Sequence, residues 1–214
     1  MRYIDFKTRV RPYPVVTASL LDALGEDRRI LHNQLSRWNR QGLIIQLKKG
    51  IYLLNSGDRS THPSKFFLAN QLVFPSYVSL ESALAYYHII PERVYQVTSV
   101  TTGKPAQHSS AEGTFSFRHV KHSLLFGFEA VRDERGFEIL LASPEKALLD
   151  FLYLNLSRFA PTAGEVFSES YRFNARDVLR SARLKEMAAR FESAKLQRVV
   201  NLFIKRHFSG KKRA

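Results

Sequence analysis

The sequence predicts an α+β fold in two parts. A small N-terminal unit of three helices and a β-hairpin precedes a mixed α/β part with a small, mostly antiparallel sheet and C-terminal helices. Three observations carry this expectation. Apolar residues recur at helical spacing up to Gln41 and are followed by two short apolar runs around Lys48-Lys49-Gly50. Residues 94–141 alternate and are rich in β-branched and aromatic side chains. Helical patterning returns at Ser143-Pro144-Glu145 and persists beyond it.

Each element has a local reason. Tyr3 to Val10 reads as a short helix stopped by Arg11-Pro12-Tyr13-Pro14. Thr17 suits the N-cap of a second helix carrying Leu20, Leu21 and Leu24 and ending at Gly25. Asp27 suits the cap of a third that runs to Gln41 and stops at Gly42. Leu43–Leu47 and Ile51–Leu54, joined through Lys48-Lys49-Gly50, read as a hairpin. Three helices and a basic hairpin make a winged helix-turn-helix, expected over residues 1–57. Residues 55–61 are polar and turn-rich and read as a linker to a second domain, 62–214. There Pro63 suits the first turn of a helix through Phe66, Phe67, Leu68 and Leu72, and Ser79 the cap of the next. Strands are expected at 94–101, 114–120, 124–131 and 137–141. The helix opened by Ser143 carries Leu148, Leu149, Leu152 and Tyr153 and reads as buried around much of its circumference. Asn174-Ala175-Arg176-Asp177 resembles a capping box. Leu196, Val199, Val200, Phe203 and Ile204 form one helical stripe, and residues 209–214 read as a mobile tail.

Charge sorts the chain into blocks. The net charge is +14, but residues 1–60 hold 11 basic and 5 acidic side chains, residues 61–157 hold 8 and 9, and residues 158–214 hold 14 and 5. Two basic ends flank a neutral middle, which points the ends toward nucleic acid or an acidic partner. Without cysteine, disulfides and thiolate metal sites are excluded, and a cytoplasmic protein is expected. No run approaches the ~18 apolar residues of a membrane helix.

On a helical wheel of residues 28–40, Ile30, Leu31, Leu35 and Trp38 gather on one side and are expected to face the core. Arg29, Asn33, Ser36 and Arg40 gather opposite, flanked by His32 and Arg37, with no acid among them. Arginine and asparagine are the side chains that grip guanine and adenine edges bidentately, so Arg29, His32, Asn33, Ser36, Arg37 and Arg40 are the candidate base-reading set. Lys48 and Lys49 at the hairpin tip, with Arg9, Arg11 and Arg28, are candidates for the phosphate backbone. The alternative is a solvated basic helix face. In the last block, Arg176, Arg180, Arg183, Arg198, Lys205 and Arg206 suit a second contact with nucleic acid or with an acidic protein surface; an ordinary solvated face is the competing reading.

Enzyme signatures are missing. There is no G-x-S-x-G elbow and no phosphate-binding loop, and Asp5-Phe6-Lys7, the one carboxylate-x-lysine step, lies in the N-terminal helix. His119 and His122 are spaced so that a strand turns them to opposite faces. No catalytic residue, metal or cofactor is expected.

The order of short motifs is itself informative. Lys48-Lys49-Gly50-Ile51-Tyr52 is followed by Tyr77-Val78-Ser79-Leu80-Glu81-Ser82-Ala83-Leu84. Phe117-Arg118-His119-Val120 comes next, with Phe126-Gly127-Phe128-Glu129 and then Ala142-Ser143-Pro144-Glu145-Lys146-Ala147-Leu148-Leu149-Asp150. Over about residues 2–156 this layout resembles the AbiEi-type antitoxins of type IV toxin–antitoxin systems. The resemblance implies a bacterial phage-defence protein that represses its own operon at inverted repeats in double-stranded DNA. It further implies a C-terminal part that opposes a nucleotidyltransferase toxin, with or without a stable complex. A stand-alone transcriptional regulator with a partner-binding domain shares the same layout.

Overall fold

The structure, a computed structural model, describes residues 1–159, 173–174 and 178–208. Helix α1 (Tyr3–Val10) packs Phe6 and Val10 inward, with the Phe6 and Tyr3 rings 4.9 and 5.5 Å from Trp38. Strand β1 (Val16–Thr17) leads directly into α2 (Ala18–Ala23), because the Thr17 hydroxyl accepts the Leu20 N–H at 3.3 Å and starts the helix. Helix α3 (Arg28–Arg40) follows, then the hairpin of β2 (Ile44–Lys48) and β3 (Ile51–Leu54). The three strands form an antiparallel sheet in the order β1-β3-β2.

The second part begins with α4 (Lys65–Leu72), β4 (Ser76–Val78), α5 (Leu80–Tyr86), β5 (Gln96–Thr101), β6 (Ala106–Ser110) and β7 (Gly113–His119). It continues through β8 (Phe128–Arg132), β9 (Glu138–Ala142), α6 (Pro144–Leu154), α7 (Leu156–Phe159), α8 (Ser181–Ala189) and α9 (Ala194–Phe208). Its sheet is larger and more mixed than the sequence predicts, six strands in the order β6-β7-β5-β4-β9-β8 with β5–β7 and β4–β9 parallel. The parallel pairing arises because β6 takes the outer place and β7 returns into the gap beside β5. Local boundaries shift too. Ser64, not Pro63, starts α4, its hydroxyl accepting the Phe67 N–H at 3.1 Å. Residues 122–124 form a 3₁₀ turn, so β8 begins at Phe128. Most of the capping box expected at 174–177 and the tail at 209–214 lie outside the described residues.

The two parts share one wall. Successive residues of a strand face opposite sides, and in β3 both sides are buried. Tyr52 and Leu54 join Phe6, Leu31, Leu35 and Trp38, whereas Ile51 and Leu53, with Val15 and Leu47, join the apolar cluster of the second part. Residues 55–61, expected as a linker, are tied to both parts. Asp58 accepts from the Tyr3 hydroxyl at 2.7 Å and from Lys7 Nζ at 2.8 Å. Arg59 pairs with Glu112 at 2.5 Å, and the Ser60 hydroxyl donates to the Arg11 carbonyl at 2.6 Å.

Helix α6 is the keystone of the second part, buried from Glu145 to Leu152. Within it Lys146 and Asp150 form an ion pair closed off from solvent. The other Asp150 oxygen accepts the Tyr77 hydroxyl at 2.9 Å and the Ser79 hydroxyl at 2.8 Å. Ser79 thus holds the N-cap position of α5, as the sequence predicts, but its hydroxyl makes no cap hydrogen bond and is spent on the carboxylate. The Lys146 ammonium also lies 4.6 and 4.5 Å from the Phe126 and Phe191 rings. Burial pushes the Asp150 pKa up and the Lys146 pKa down, and their mutual attraction opposes both shifts. Gly127, at φ +73°, lets the chain entering β8 pass close to Lys146; a Cβ there would stand 3.2 Å from the lysine stem and 2.6 Å from Met187 Cε.

Removing one member of the buried pair strands the other, so Lys146→Met or Asp150→Leu alone is expected to cost roughly 3–5 kcal/mol in urea unfolding. The double replacement is expected to cost less than the sum of the two single losses, but not to restore the wild-type value, because the Tyr77 and Ser79 hydroxyls still lose their acceptor. The Lys7 and Tyr3 hydrogen bonds hold the Asp58 carboxyl below its ordinary pKa. Its contribution to stability is therefore complete above the ordinary carboxylate range and lost as pH falls through the lowered folded value. Thermal melts of Asp58→Asn should accordingly lose less stability between neutral pH and pH ~3 than the wild type does.

Candidate nucleic-acid interface

Helix α3 is fixed at both ends by its own sequence. Asp27 Oδ1 accepts the N–H groups of Arg29 and Ile30 at 2.9 and 3.1 Å. At the other end Gly42, at φ +71°, turns the chain so that the Leu43 N–H reaches the Trp38 carbonyl at 2.9 Å and its own N–H reaches Asn39 at 3.1 Å. That paired closure satisfies carbonyls the helix would otherwise leave bare. Leu31, Leu35 and Trp38 seat the helix in the N-terminal core, and the Asn39 side chain accepts the Gln46 N–H at 2.9 Å to bind it to the hairpin.

The opposite face is open. Arg29, His32, Asn33, Ser36, Arg37 and Arg40 are all exposed. Among the described residues, Arg29, Arg37 and Arg40 have no carboxylate or carbonyl partner, and α3 contains no acid. Three planar guanidinium groups and one amide thus converge on a single helical surface. Ile30 departs from expectation. It is 54 % exposed rather than part of the core, because the buried stripe centres on Leu31, Leu35 and Trp38 and leaves Ile30 on its edge. Beside it the Gln34 amide, not Ile30, meets the N-terminal segment, donating to the Met1 carbonyl at 2.8 Å.

The candidate phosphate contacts divide. Lys49 is exposed at the hairpin turn, and Arg11 is exposed beside Pro12 and Ser60. Lys48 is half-buried and turned inward, its ammonium donating to the Leu72 carbonyl at the end of α4. Arg28 pairs with Asp22 through both ends of its guanidinium, at 3.0 and 2.7 Å. Arg9 braces α1 against α2 by donating to the Leu24 carbonyl at 3.0 Å. Sequence reading could not find these partners, since a charge count is silent on which acceptors lie nearby. Between α2, α3 and the turn runs a cleft of about 300 Å³, with Leu31, Leu35 and Tyr52 at its base and His32 and Lys49 on its walls.

A second basic surface lies on α9. Lys195, Arg198, Lys205 and Arg206 are exposed along one side, around a Leu202 that is 46 % exposed, while Leu196, Val199, Val200 and Phe203 are buried. Arg180 is exposed at the start of α8. Arg183 is partly engaged, 3.7 Å from Glu145, and Arg190 lies 3.6 Å over the Phe126 ring. Arg176 lies outside the described residues.

The Tyr77, Ser79, Lys146 and Asp150 quartet has acid, base and hydroxyl groups together, but it is sealed from solvent. Burial, ahead of the neighbouring carboxylate, raises the Tyr77 phenol above its ordinary pKa. Among the described residues no group of three or more histidine, aspartate or glutamate side chains is placed to hold a metal ion, and no helix is long and apolar enough to cross a membrane. His119 meets the Gly103 carbonyl at 2.8 Å, and His122 opens the 3₁₀ turn.

The exposed face of α3 stands on its first turn, so Asp27→Ala should lower stability by about 1 kcal/mol, measured by chemical unfolding. No protein-family model matches this chain, and no curated protein does.

Proposed function

We propose that residues 1–57 form a winged helix-turn-helix that binds double-stranded DNA, with α3 in the major groove and the Lys49 turn beside a phosphate. The element order supports this reading: helix, strand, helix, helix, and a hairpin whose sheet the first strand completes. The observation that carries it is the acid-free exposed face of α3, with Arg29, Arg37 and Arg40 unpartnered among the described residues. Ion-paired arginines would suit a purely structural helix. Unpaired forks beside Asn33 have the donors that base edges require.

We further propose that the chain is a DNA-binding antitoxin and autorepressor of a type IV toxin–antitoxin operon, opposing a nucleotidyltransferase toxin. Support comes from the resemblance of the ordered motifs to those of the AbiEi-type antitoxins, and several of these motifs meet in the fold. Tyr77 and Ser79 belong to one motif and Lys146 and Asp150 to another, and the four meet in a single buried network. Gly127, from a third, allows the close approach beside it. In this reading the α9 stripe of Lys195, Arg198, Lys205 and Arg206 is a second contact with nucleic acid or the toxin. The opposition acts through the second part of the chain and the repression through the first.

Fluorescence anisotropy on duplexes from upstream of the protein's own reading frame tests the proposal. Replacing Arg29, Arg37 and Arg40 together with alanine should abolish specific binding without altering the melting temperature by more than a few degrees. Lys49→Ala should weaken all duplexes alike and reduce the salt slope by about one. Repression that survives the triple replacement would remove α3 as the reading helix. In the same full-length triple variant, growth rescue against the product of the adjacent reading frame should persist.

A further inference from the structure

Ile30 is the one large aliphatic side chain of α3 that the fold leaves open, 54 % exposed while Leu31 and Leu35 are buried. A single exposed aliphatic residue is ordinary on a protein surface. Its company is not. Along the helix it stands three, four and seven residues before Asn33, Gln34 and Arg37, so these side chains line one flank of the exposed face. Gln34 is held away by the Met1 carbonyl, which leaves Ile30 beside Asn33 and Arg37. The other flank, through His32, turns toward the cleft below Lys49. Asp27 binds the N–H of Ile30 itself, so the position of this residue is set before any partner arrives.

Among the groups that base pairs present in the major groove, the C5 methyl of thymine is the apolar one. The N-terminal residues of a recognition helix are those that meet base edges. We infer that Ile30 reads thymine, its exposed methyl groups packing on the C5 methyl of a thymine next to the base pair contacted by Asn33 or Arg37. This rests on the DNA-binding reading above and adds to it a base identity and a residue. Polar side chains alone distinguish bases by hydrogen bonds; an aliphatic one beside them rewards thymine over cytosine, which offers hydrogen instead of methyl at the same carbon.

Duplexes enriched by the full-length protein from a random-sequence pool provide the ligand. Each thymine in the enriched site is replaced in turn by deoxyuridine, which removes the methyl and keeps the base pairing. At one thymine in each contacted site the wild type should bind about fourfold more weakly after the replacement, the worth of one buried methyl. Ile30→Ala should bind the thymine duplex more weakly and show no difference between thymine and deoxyuridine at that position. Because Ile30 is exposed and alanine favours helix, the variant should melt as the wild type does. Indifference of the wild type to every methyl, an enriched site without thymine, or a methyl effect that survives in Ile30→Ala would each overturn the assignment while leaving DNA binding intact. A pool that yields no enriched duplex would overturn the DNA-binding reading and this inference with it.

Discussion

Strand β3 carries the architecture. Its four residues are buried on both sides, so Ile51 and Leu53 belong to one apolar cluster while Tyr52 and Leu54 belong to the other. A slip of one residue in its register would exchange these pairs and spoil both clusters at once. The pairing of Val16 with Tyr52 and of Ile44 with Leu54 guards against that slip from either side. Everything proposed for α3 depends on this wall, because Trp38 and Leu35 pack against its helix-facing side and the hairpin turn is its continuation.

The second constraint is the carboxylate of Asp150. An isolated charge at that depth would be expensive, and the fold answers with three donors: Lys146 along the same helix and two hydroxyl groups from the β4–α5 segment. Stability alone is a weak reason to keep such a pair, since well-packed apolar groups do as well. Its effect here is geometric. One carboxylate ties the start of α5 and the middle strand β4 to α6, and apolar contacts could not hold these three elements with the same directional demand.

The parts of the fold that announce themselves in sequence are those set by local chemistry. Thr17, Asp27 and Ser143 cap helices within three residues of their own position, and Gly25, Gly42 and Gly50 occupy left-handed backbone where the chain must turn. Strands β4 and β6 do not announce themselves. One is three residues long, and the other, Ala-Gln-His-Ser-Ser, has no apolar alternation; both are strands because a neighbour supplies the hydrogen-bonding edge. The candidate site divides in the same way. Periodicity places Asn33, Ser36, Arg29 and Arg40 on the open face. It could not tell that Asp22 would take Arg28, that Leu24 would take Arg9, or that the core stripe would stop short of Ile30.

The ammonium of Lys48 rests on the last carbonyl of a helix in the other half of the molecule, at Leu72. A hairpin held only at its base swings, and it must give up that swing when it docks. Here the turn is moored beside its tip, so most of the swing is gone beforehand. In the proposed complex with DNA, less motional freedom would remain to be surrendered on contact, which would favour tight association for a modest area. The same mooring narrows the range of contours that the Lys49 turn can match.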